Sequence, residues 1–143
     1  MIRRVNLSRL EWKRPTSSVV AITNRFCALA VCPVDAYRRG ELCAVSLWSK
    51  QYALRFYLKS MCCAIPEFVG RDAFVGVCGS VYATLDRGVP ESTENPDALC
   101  GRLCDAAERF VSGVNDVFGT HLSLVPFGSG AACGGLARSS ASR

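Results

Sequence analysis

Apolar and polar residues alternate in short runs through the first half of the chain, and that alternation predicts β-strands. Residues 18–23 (SVVAIT) and 26–32 (FCALAVC) are β-branched or apolar runs parted by Asn24 and Arg25, a pair suited to a tight turn. Residues 42–48 (LCAVSLW) and 52–58 (YALRFYL) form a second such pair around Ser49, Lys50 and Gln51. The stretch 33–40 between them, bounded by Pro33 and Gly40, reads as a polar connection. Residues 72–85 (DAFVGVCGSVYATL) read as a further strand, with Gly76 and Gly79 suggesting a bulge.

The period changes after residue 90. Asn95 is a capping residue, Pro96 fits the first helical position, and Asp97 complements the positive end of the helix dipole. Leu99, Leu103, Phe110, Val114 and Val117 recur at helical spacing, so a helix is expected from about 96 to 118, stopping at Gly119. Asp105 and Arg109 make an i, i+4 pair on its wet side. Residues 121–127 (HLSLVPF) read as a last strand. The whole predicts an α+β fold, with an antiparallel β-sheet of about five strands, built from hairpins, covered on one face by a long C-terminal helix. Three regions follow: a basic N-terminal arm (1–16), one globular domain (17–127), and a flexible Gly/Ala/Ser-rich tail (128–143).

Strand parity then sorts the second hairpin. Tyr52, Leu54, Phe56 and Leu58 would lie under the helix, leaving Arg55, Tyr57 and Lys59 on the other face with Trp48, and Lys50 at the hairpin tip. Aromatic anchors among cations suit a protein interface, and they also suit stacked bases beside phosphates.

Charge adds an arm to this picture. The chain carries +5 overall, but Arg3, Arg4, Arg9, Lys13 and Arg14 against Glu11 leave residues 1–16 at +4. The tail from Gly128 carries +2, so the body is nearly neutral at −1. Basic ends attract polyanions without a dedicated groove. The arm lacks the apolar stretch of a secretory signal, although its Arg-rich composition also fits a targeting presequence. No run reaches the ~18 apolar residues of a membrane span.

Nine cysteines are the loudest chemical feature. They fall at 27, 32, 43, 62, 63, 78, 100, 104 and 133 with no CxxC pair, and His121 is the sole histidine, so neither a metal nor another cofactor is called for. An odd count and no secretory signal argue for reduced thiols, most of them filling the core as small hydrophobes. Cys62, Cys63 and Cys133 are expected in loops, and a cysteine-dependent enzyme would have to pair one of these with His121. No phosphate-binding loop or nucleophile motif is present.

The function these features support is that of a small intracellular, cytoplasmic or nuclear interaction protein without catalysis. An accessory factor of a viral or other GC-rich genome would have this size and arginine bias. Its partner would be another protein or a second copy of itself. Nucleic acid held by the arm and the Trp48/Tyr57 face is the alternative, and a cysteine-dependent enzyme comes third.

Overall fold

The computed structural model describes residues 15–86, 95–124 and 136–138. Its architecture is helical, not α+β. Four helices follow in order: α1 (Pro15–Arg38), α2 (Ala44–Ala64), α3 (Arg71–Leu85) and α4 (Pro96–Phe118). Two three-residue strands, β1 (Leu122–Leu124) and β2 (Leu136–Arg138), pair antiparallel, with Ser123 opposite Ala137. They form the one sheet among the described residues, so the expected five-stranded sheet is replaced by a helical bundle.

The segments expected to be hairpins are single helices. In α1 the buried side chains include Val19, Ile22, Thr23, Phe26, Cys27, Ala30, Val31 and Val34, which recur at spacings of three and four. Asn24 and Arg25 are exposed residues of that helix, not a turn. Pro33 lies inside α1 and brings no N–H to the carbonyl one turn back. The helix ends at Gly40, whose φ of 77° only glycine adopts cheaply. There Gly40 N–H donates to the Tyr37 carbonyl and Glu41 N–H to the Ala36 carbonyl, so of the two residues that bounded the expected loop, Gly40 closes the helix and Pro33 lies within it.

In α2 the buried positions are Leu47, Gln51, Leu54, Leu58 and Met61. Ser49-Lys50-Gln51, expected as a turn, is the second turn of this helix. In α3, Gly76 and Gly79 face open space rather than a bulge.

Expectation and structure agree on α4. Asn95 Oδ1 accepts from Asp97 N–H at 2.7 Å, Pro96 starts the helix, and Gly119 ends it at φ 67°. One face buries Leu99, Cys100, Leu103, Ala106, Ala107, Phe110, Val111 and Val114. Gly113 admits α3 closely, since a Cβ there would lie 2.7 Å from a methyl of Val77.

Consecutive helices are neighbours and α4 closes the ring against α1. A chain of rings runs through the centre. Phe110 meets Phe26 at 4.8 Å and Phe74 at 5.9 Å between centroids, and Phe74 continues to Phe118 at 6.1 Å. Asn115 ties β1 to α4: its Oδ1 accepts from Leu122 N–H and its Nδ2 donates to the Leu122 carbonyl, each at 3.0 Å.

Among the described residues one helix, Thr16–Arg38, is long and apolar enough to cross a membrane by length and composition. That revises the expectation that no run qualifies. Half of that window is buried inside the bundle, where it supplies one wall of the core.

Candidate binding surface

A helix rotates about 100° per residue, so α2 redistributes the side chains that strand parity had sorted. Arg55 and Lys59, one turn apart, stay together. Tyr57 lies about 200° around from Arg55. It packs against the core at the α1 side, where burial raises its hydroxyl pKa and Arg25 opposes that rise. Trp48 is half-buried against the core, with its indole Nε1 shielded from solvent and no hydrogen-bond acceptor in reach. Lys50 is exposed. The expected Trp48–Tyr57 face therefore does not exist as a unit. The basic arm residues Arg3, Arg4, Arg9, Lys13 and Arg14 lie outside the described residues.

Of the residues placed under the helix by strand parity, Leu54 and Leu58 are buried, whereas Tyr52 and Phe56 face solvent, as does Val45. Tyr52 is 48 % exposed, Phe56 57 % and Val45 68 %. They recur at i, i+7 and i+11, which puts them on one side of α2 in a stripe about 16 Å long. Tyr52 and Phe56 touch edge to face at 5.3 Å. Beside them runs a shallow groove of about 160 Å³ at the α2–α3 seam, lined by Tyr52, Arg55, Phe56, Lys59 and Tyr82.

The groove has fixed electrostatics. Arg55 donates to Asp86 at 2.7 Å, and its guanidinium carbon stands 4.9 Å from the Tyr52 ring centre. Lys59 Nζ stands 5.8 Å from the Tyr82 ring centre and has no carboxylate among the described residues. The buried Gln51, one turn before Arg55 on α2, donates to the Leu85 carbonyl at 2.8 Å, and Arg102 of α4 donates to the same oxygen. These bonds fix α2 against the end of α3 and so fix the groove.

The cysteines divide differently from expectation. Cys27 and Cys78 are buried, and burial pushes the Cys27 thiol up to about 12 and that of Cys78 upward as well. Cys27 points at the Ala107 carbonyl at 3.8 Å. Cys43, expected in the core, is exposed at the N-cap of α2, and Ser46 at 3.4 Å lowers its pKa. Cys62 and Cys63 belong to the last turn of α2, not to a loop. Among the described residues seven cysteines are free thiols, whereas Cys32 is disulfide-bonded, which corrects the expectation of reduced thiols at that position. Cys133 lies outside the described residues.

His121 lines a separate recess with Thr16, Ser17, Val20, Phe118, Gly119, Thr120 and Leu122, and no cysteine takes part in it. Among the described residues no three His, Cys, Asp or Glu side chains gather as metal ligands would. The signal that would have found the surface is the spacing 47, 51, 54, 58, 61, which makes α2 a helix and turns 45, 52 and 56 outward. Compared with known proteins, the chain matches no family model, no curated protein and no solved structure.

Proposed function

We propose that this protein acts by binding another protein through the outer face of α2, without catalysis of its own. The observation that carries this reading is the exposed stripe of Val45, Tyr52 and Phe56 on a helix whose opposite face is already in the core. Single exposed apolar side chains are ordinary, but an aligned set beside a groove lowers its free energy when a partner removes it from water. Tyrosine and arginine at such a place are the residue types that anchor interfaces.

Nucleic acid is the second reading, because Arg55 and Lys59 flank aromatic rings that bases stack on. A photocrosslinking residue at position 56, with position 108 on α4 as control, separates the two in cells. A discrete protein adduct at 56 and none at 108 is expected. An adduct with RNA or DNA instead, or no adduct at 56, overturns the protein-binding reading.

A further inference from the structure

The charge of α2 narrows the partner. The helix carries Lys50, Arg55 and Lys59 and no Asp or Glu, so it stands at +3 within a body of −1. Arg55 is answered by Asp86, while neither Lys50 nor Lys59 meets a carboxylate among the described residues. From these observations we infer that the occupant of the α2 face is an acidic amphipathic helix of another protein. This inference rests on the protein-binding reading above and adds the chemical class of the partner.

Shape and charge select that class in turn. A stripe of about 16 Å matches three turns of a helix, whose own apolar residues at i, i+3 or i+4, and i+7 would lie along Val45, Tyr52 and Phe56. The groove of about 160 Å³ between Tyr52, Phe56 and Tyr82 takes a single side chain. Lys59 at its rim favours a carboxylate there. A second copy docked symmetrically would set α2 against α2 and bring the unanswered Lys59 of each toward the other, which like-charge repulsion opposes. Nucleic acid draws its affinity from many neutralised phosphates, and an anionic membrane from basic clusters of about four to eight. One unanswered lysine, Lys59, beside an apolar stripe fits neither as well as it fits a short acidic helix.

The test uses the full-length protein and labelled helical peptides of about 15 residues, long enough to form turns on a surface. One has Leu and Phe along a single face and Glu on its flanks. A second has the same apolar face with Lys flanks, and a third is the acidic peptide with its order scrambled. Fluorescence anisotropy should show the Glu peptide binding about tenfold or more tightly than the Lys peptide, and the scrambled peptide not at all. Lys59→Glu should reverse that preference, and Phe56→Ala should weaken both ordered peptides. Circular dichroism melts on each variant keep misfolding from imitating these losses.

Equal binding of the Glu and Lys peptides, or a Glu peptide indifferent to Lys59→Glu, overturns the inference. Binding of anionic vesicles or single-stranded RNA that is lost with Phe56→Ala overturns it too. A protein adduct at position 56 alongside such a result leaves the protein-binding reading standing and removes the acidic helix alone. No adduct and no peptide binding removes both.

Discussion

Helices α2 and α4 have similar lengths, 21 and 23 residues, and opposite habits. In α4 the apolar residues are sorted to one side, and the outer side carries Asp97, Asp105, Glu108 and Asp116 against Arg109, while Arg102 reaches the end of α3. In α2 a polar Gln51 is buried while Tyr52, Phe56 and Val45 are exposed, and every formal charge is positive. Both helices are held by the same bundle, so the fold does not require α2 to be unsorted. A helix whose sequence serves only the core looks like α4. The departure in α2 is what the proposed binding role would require, and under that proposal variants on the two helices should behave differently.

The largest contrast is between their phenylalanines. Phe110→Ala on α4 removes the ring that joins Phe26 to Phe74 and should cost ~3–5 kcal/mol in denaturant unfolding. Phe56→Ala on α2 should stay within ~0.5 kcal/mol of wild type. Comparable losses at both sites would end the distinction.

Alkaline pH tests the wall of α4 that meets α1. Burial holds the Cys27 thiol neutral, raising its pKa from 9.0 to about 12 in the folded chain. Its contribution is fully present below pH 9 and lost as pH rises from there toward 12, because only the unfolded chain releases that proton in the interval. The loss should be on the order of a few kcal/mol. Cys27→Ala should flatten the decline seen in denaturant midpoints across that window, and an unchanged slope would contradict the assignment.

Smaller effects separate two glycines within α4. Gly113→Ala drives a methyl into Val77 and should destabilise by ~1–3 kcal/mol, whereas Gly101→Ala meets open space and should stabilise by up to ~1 kcal/mol. Thermal melts of the two variants, expected to move in opposite directions, sharpen the picture of α4 as the close-packed helix.

The last contrast changes no stability. Under native labelling with mass mapping, Cys43 and Cys63 at the two ends of α2 should react first, Cys43 aided by its lowered pKa. Cys100 on α4, buried and with its pKa raised by that burial, should be among the slow ones. Fast labelling of Cys100 would show α4 opening more readily than its packing allows.

The same two helices explain what the sequence made visible. Helix α4 was legible to its ends because cap, dipole partner, apolar period and terminal glycine all agree. Helices α1, α2 and α3 were not. Apolar residues on more than one side of a helix break into short runs that resemble strands, and Asn24-Arg25 or Ser49-Lys50-Gln51 between such runs resemble turns. Alternation over six or seven residues cannot tell these cases apart, whereas the spacing 19, 22, 26, 30, 34 along α1 can. On α2, Arg55 and Lys59 share a side under either reading, since residues four apart share a side in a helix and an even step shares one in a strand. Trp48 and Tyr57 were misplaced, and Tyr52, Phe56 and Tyr82 missed, because their sides depend on the period chosen.

The carbonyl of Leu85 has a consequence for how the bundle breathes. Helix ends ordinarily fray, because their last carbonyls have no partner within the helix. At the end of α3 that oxygen accepts from Gln51 of α2 and from Arg102 of α4. The weakest part of the shortest helix is thereby the point where three helices are joined. Amide hydrogens in the last turn of α3 should exchange with solvent as slowly as those of the middle of α4, and loosening there would release all three helices in one step.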